Sequence, residues 1–150
     1  MRHDVAVNWK NNMSYKINKH PVVFKVMAVV AILFGLLTIK SGGMVLFTQG
    51  EAHQAAGNYV PFVLWFNFMA GFAYLAAGVG LWLQRSWATL IATVIALLTV
   101  LVFIAFGAYI FLDGAYEVRT IGAMSLRSIV WVVIAAVTYR IGRNYHGETN

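Results

Sequence analysis

Four long apolar runs divide the chain, and short polar segments separate them. The runs extend over about 22–47, 60–83, 87–112 and 120–140. Each reaches the roughly 20 residues that an α-helix needs to cross a bilayer. The pattern predicts an all-α fold: an integral membrane four-helix bundle in up-down-up-down order.

Polar segments flank these runs at both ends of the chain. A leader over 1–20 and a tail over 143–150 leave one membrane domain over 21–142. Within the leader, an apolar residue recurs every four positions, which favours a short amphipathic helix on the membrane surface. These residues are Val5, Trp9, Met13 and Ile17. An unstructured leader with chance spacing is the alternative interpretation.

The composition excludes whole classes of protein. Hydrophobic residues make up 61% of the chain and charged residues 11%, against about 45–50% and about 25% in soluble domains. A soluble globule, a disordered chain and a nucleic-acid-binding module are therefore excluded. Cysteine is absent, which excludes disulfides, thiolate nucleophiles and cysteine-bound metals.

Basic residues predict the orientation. If both termini lie in the cytoplasm, only Lys40, Arg119 and Arg127 fall on the exterior side. The other basic residues then belong to the cytoplasmic side: Arg2, Lys10, Lys16, Lys19, Lys25, Arg85, Arg140 and Arg143. By the positive-inside rule we expect cytoplasmic termini and exterior loops over 48–59 and 113–124. A bacterial inner membrane is the default location.

No established catalytic chemistry emerges from the sequence. No His lies in the middle of a predicted span, as a membrane haem would require, and no carboxylate lies there, as a proton-coupled small exporter would require. Nucleotide-binding and nucleophile-elbow motifs are also missing. We therefore expect neither an enzyme nor a cofactor.

Small residues recur along one face of every predicted helix, where close packing in lipid needs them. These faces are Ala28, Ala31, Gly35, Thr38 and Gly42; Asn67, Ala70, Gly71, Tyr74, Ala77 and Gly78; Thr89, Ala92, Thr93, Ala96, Thr99 and Gly107; and Ser128, Ala135 and Thr138. The leading hypothesis is an accessory, assembly or interaction subunit. It predicts a homo-oligomer or a larger complex in the lipid bilayer, without nucleic acid.

The costly polar groups gather in the predicted outer half of the bundle. They are Lys40, Asn67, Tyr74, Asp113, Glu117 and Arg127. One interpretation is structural: the basic side chains pair with the two acids or reach the lipid phosphates. The other is a binding site for a lipid, a quinone or a small anion, because polar residues in spans commonly mark ligand sites.

A third hypothesis is a metal handler that faces the periplasm. Carboxylates and one imidazole occur on the two predicted outer loops, and together they could hold a divalent ion. The candidate ligands are Glu51, His53, Asp113 and Glu117.

The topology is directly testable. We expect reporter fusions at Asn150 and within 49–58 to report opposite compartments, since the positive-inside rule places the first in the cytoplasm. An exterior C-terminus would contradict the model of four spans with cytoplasmic ends.

Overall fold

The computed structural model describes residues 21–48 and 50–147, without the side chains of 52, 53 and 142–147. In these ranges the regular elements are all helices, and no strand occurs. They are α1 (Pro21–Phe47), α2 (Glu51–Ala55), α3 (Pro61–Trp82), α4 (Ser86–Phe111) and α5 (Val118–Gly147). The predicted amphipathic leader helix lies outside the described residues.

Four of these helices are long and apolar enough to cross a membrane. They coincide with the four apolar runs, which confirms an all-α protein with four candidate spans. In α5 the span-length part is Val118–Ile141, but the helix continues to Gly147, past the start of the predicted tail. Polar residues ended the apolar run on which the prediction rested, but they do not by themselves end a helix.

Glycines on α1 and α3 allow the backbones of the two helices to come into contact. A methyl group on Gly35 would lie 3.0 Å from the carbonyl oxygen of Gly71. One on Gly78 would lie 3.2 Å from the carbonyl oxygen of Ala28 and 2.6 Å from a side-chain carbon of Ile32. Small residues permit this close approach, which maximises van der Waals contact between helices in lipid.

The connection from α3 to α4 is a tight turn that ends α3 with a Schellman motif. The Arg85 N–H donates to the Gly80 carbonyl at 2.9 Å, and the Gln84 N–H donates to the Leu81 carbonyl at 3.0 Å. Gln84 takes the left-handed position, with φ of 52°, where glycine is the common residue. Gly80 also lies against Trp87 and Ala88, which brings the start of α4 onto the end of α3.

In space the helices follow the order α1, α3, α4, α5, each packed against the next. Helix α5 meets α3 through long side chains: the Tyr74 and Trp131 rings have centroids 4.5 Å apart. No packing comparable to that of α1 on α3 joins α1 to α5 in the described ranges. The hydrogen bond from Asn58 to Glu117 shows that segments 50–60 and 112–117 lie at the same end of the bundle. We call this the Glu117 end.

The predicted packing faces are largely correct. All five small residues predicted for α1 are buried. In α3, five of the six predicted residues are buried and Ala70 is partly buried. Gly107 in α4 was predicted wrongly: it is exposed, and a methyl group there would meet nothing within 4 Å. The buried face of α4 near that end instead carries Phe106, a large residue that fills the core.

A matched pair of glycine substitutions tests the α1–α3 contact. A Cβ at Gly71 would lie 2.6 Å from a carbon of Ile39, so Gly71→Ala should lower the free energy of unfolding by about 1–3 kcal/mol. Gly107→Ala should leave it equal or higher, since Ala is the better helix former. Denaturation of the purified protein in mixed micelles measures both. Equal effects would contradict the packing described here.

Candidate functional site

A cavity of about 330 Å³ lies at the Glu117 end, between α1, α3 and α5. Its wall includes Thr38, Gly42, Asn67, Glu117, Arg119 and Arg127. The volume is at the lower end of the roughly 300–1,000 Å³ found for ligand pockets. The cavity can therefore hold a small organic anion or a lipid head group, but not a whole two-chain lipid.

The cavity exists because small side chains face each other across the gap between α1 and α5. Thr38 and Gly42 contribute from α1, and Thr120 and Ala123 from α5. Since α1 packs tightly on α3 instead, the surfaces of α1 and α5 do not close on each other. The cavity follows from the sequence of the two facing surfaces.

Asn67 is a buried polar group on the cavity wall. Its side chain is 7% exposed, and its Nδ2 donates to the sulfur of Met124 at 3.5 Å. Its Oδ1 is buried and has no hydrogen-bond partner among the described residues. A buried acceptor left unpaired costs about 1–3 kcal/mol, so this oxygen favours a bound hydrogen-bond donor, either water or a ligand.

Arg127 brings a positive charge into a membrane-spanning helix. It follows Val118 by nine positions, a rise of roughly 13.5 Å along α5. Its side chain is half-buried, and its Nε is buried without a hydrogen-bond partner in the described part of the chain. Charge at the centre of a bilayer costs at least about 2.5 kcal/mol, so a bound anion or water near Arg127 would stabilise the folded state.

The structural interpretation of the polar cluster offered two arrangements, ion pairs with the acids or contact with lipid phosphates, and the described residues contain no such ion pair. In the described ranges, no Lys or Arg nitrogen lies within 4.0 Å of a carboxylate oxygen. Lys40 is exposed and does not line the cavity. Asp113 is also exposed and away from the wall; its φ of 60° places it at the left-handed position that ends α4.

Aromatic side chains fill the core next to Asn67, on the side away from the Glu117 end. Tyr74 lies two turns farther along α3, with its ring 6.2 Å from Phe34 and 4.5 Å from Trp131, between centroids. Its hydroxyl group is buried and, like the Thr99 hydroxyl and the Trp131 indole nitrogen, has no hydrogen-bond partner among the described residues. Tyr74 was predicted as a ligand-binding residue, but it lies in the core next to the cavity and not on its wall.

Glu117 joins two loops at the rim of the cavity. The Asn58 N–H donates to its Oε1 at 3.0 Å. The preceding residue, Gly57, has φ of +58°, and any side chain there would overlap the Glu117 carboxylate. Position 57 therefore requires glycine for two reasons: its backbone is left-handed, and the Glu117 carboxylate occupies the space of a side chain.

The structure thus brings together three of the six predicted ligand-binding residues: Asn67, Glu117 and Arg127. Arg119 also lines the cavity and was missed, because basic residues near the loops indicated only the orientation of the chain. A signal was present: Arg119, Ala123 and Arg127 are spaced four apart and so share one face of α5.

The proposed metal ligands do not form a described cluster. Glu51 is exposed on α2, and the side chain of His53 lies outside the described part of the chain. Among described residues, no group of three or more His, Asp or Glu side chains could hold a metal ion. The metal hypothesis remains a prediction without structural support.

The four apolar helices indicate a multi-pass membrane protein. Comparisons of the chain with protein-family models, curated proteins and solved structures find no match.

A pair of loop substitutions tests the rim. Gly57→Ala should cost about 1–2 kcal/mol from the left-handed backbone alone and should also displace Glu117. Hydrogen exchange of the 55–59 amides should then accelerate. Gly50→Ala is the control, because a methyl group at Gly50 meets nothing within 4 Å. Unchanged exchange in Gly57→Ala would contradict the contact between Gly57 and Glu117.

Proposed function

We propose that the chain is a multi-pass protein of a bacterial inner membrane that binds an anionic group in the cavity at the Glu117 end. In this proposal both termini are cytoplasmic, the helices run up-down-up-down, and the cavity faces the exterior or the outer leaflet. The protein binds its ligand without converting it.

The main support for this proposal is that Arg127 lines the cavity without a partner for its charge. A guanidinium lies half-buried on the wall of a cavity, its Nε has no partner in the described residues, and no described carboxylate pairs with it. Arginine presents five N–H donors in a planar fork that matches a carboxylate or phosphate. An anion in this cavity would therefore form hydrogen bonds that the protein itself does not supply.

The charged wall favours an anion over the other ligands considered. A neutral quinone would leave the charge of Arg127 without a counterion, whereas a phosphate or carboxylate would neutralise it. Arg119 adds a second positive charge to the same wall. A metal cation would meet two guanidinium groups on this wall and a single carboxylate, that of Glu117.

The accessory-subunit hypothesis has less support from the packing. It rested on the abundance of small faces and on the lack of catalytic motifs, but Gly35, Gly71 and Gly78 contact the neighbouring helix of the same chain. Assembly into a homo-oligomer or a larger complex remains a prediction, which size analysis after mild-detergent extraction would test.

Arg127 variants test the binding proposal. We expect Arg127→Gln to lower the amount of phospholipid or inorganic phosphate retained by the purified protein, as measured by native mass spectrometry. Loss of a hydrogen bond to a charged group, about 1.5–3 kcal/mol, corresponds to an affinity about ten- to a hundredfold lower. Arg127→Lys should give an intermediate loss, because Lys lacks the planar fork.

The control for this experiment is Arg85→Gln, at the exposed turn between α3 and α4. It should leave both ligand retention and thermal unfolding unchanged. If Arg127→Gln lowers only the unfolding temperature and retains as much ligand as the wild type, Arg127 is structural and the proposed function is wrong.

A further inference from the structure

Two opposite charges share the cavity without neutralising each other. Glu117 and Arg127 both line it, yet no described carboxylate oxygen lies within 4.0 Å of a guanidinium nitrogen. In a site of low dielectric such charges attract strongly. The structure must therefore hold them apart, and a ligand between them would meet both.

The backbone explains the separation. Glu117 lies at the rim, where the Asn58 N–H holds one of its two carboxylate oxygens at 3.0 Å. Gly57 admits the carboxylate to this position because it has no side chain. Arg127 lies on α5 nine positions after Val118, roughly 13.5 Å deeper along the helix axis. Side chains of an α-helix tilt toward its N-terminus, which shortens that gap.

A ligand with only a negative charge would neutralise Arg127 but not Glu117. Bound at Arg127, it would place a second negative charge in the same small cavity as the Glu117 carboxylate, with which Arg119, exposed on the wall, forms no ion pair. Like charges placed together in an interface cost several kcal/mol. A cation attached to the ligand would remove that cost. Tyr59, half-buried on the rim, supplies an aromatic ring, a group that stabilises ammonium ions.

We propose that the ligand is a zwitterion, with a phosphate or carboxylate toward Arg127 and an ammonium group toward Glu117. This inference rests on the proposed function and specifies its substrate class. Two sources share this chemistry. One is a soluble compound that enters from the Glu117 end. The other is a lipid with an ethanolamine-type head group that enters through the gap between α1 and α5, where the two helices do not pack closely.

The experiment compares two soluble phosphates that differ in the amine: phosphoethanolamine and glycerol 3-phosphate. Binding to the full chain in detergent is measured by thermal shift and calorimetry. The wild type should prefer phosphoethanolamine about tenfold. Glu117→Gln should abolish the preference. The substitution keeps an Oε1 acceptor for the Asn58 N–H and removes only the charge, so its unfolding temperature serves as the folding control.

The second arm uses nanodiscs with equal phosphatidylethanolamine and phosphatidylglycerol. If the ligand is a lipid, the wild type should bind neither soluble compound but retain phosphatidylethanolamine over phosphatidylglycerol in native mass spectrometry, and Glu117→Gln should retain them equally. Preference in either arm supports the zwitterion, and the arm in which it occurs identifies the source.

Failure of the two proposals can be told apart. If Arg127→Gln changes retention of none of the four probes, the proposed function and this inference are both overturned. If Arg127→Gln weakens binding but the wild type does not discriminate between the members of either pair, only the inference is overturned. The same holds if Glu117→Gln folds and keeps the wild-type preference.

Discussion

The close contact between α1 and α3 is the constraint on which the rest of the structure depends. Gly35, Gly71 and Gly78 bring the two backbones to within van der Waals distance. Hydrophobic burial provides little driving force between helices in lipid, so such close contact is what holds them together. Because α1 packs against α3, it does not also pack against α5. The space between α1 and α5 at the Glu117 end is the consequence, and it becomes the cavity.

The same arrangement decides which polar residues face the cavity. Asn67 lies one helical turn before Gly71 on α3, so the face that packs also carries the amide to the wall. Arg127 reaches the cavity from α5, which contacts α3 through side chains such as Trp131 and Met124. Polar groups that would be costly in lipid therefore have a cavity beside them.

Much of the fold could be predicted from the sequence, because its physical causes are local. Apolar runs of sufficient length define the helices, and small residues at helical spacing define the α1 face from Ala28 to Gly42. The extension of α5 to Gly147 was missed because hydropathy reports lipid contact and not helicity. Gly107 was assigned to a packing face because small size permits close contact but does not require it.

The site was less predictable from the sequence. The position of a residue along a helix axis does not determine which neighbouring helix or cavity its side chain faces. Lys40 and Asn67 lie in the same half of the predicted bundle, but only Asn67 faces the cavity. Glu117 and Gly57 are sixty positions apart, and no local pattern indicates that their loops meet. Asp113 was predicted to bind a ligand because of its charge, whereas its left-handed backbone shows that it ends a helix. Such assignments depend on tertiary contacts.

Cysteine labelling tests most directly whether a water-accessible, positively charged cavity separates α1 from α5. The chain contains no cysteine, so a single cysteine at Ala123, on the cavity wall, has no background. Ala105, exposed on α4, is the lipid-facing control. We predict that membrane-impermeant thiol reagents label the cysteine at 123 but not at 105, and that an anionic reagent reacts faster than a cationic one. Equal protection of both positions would contradict the account.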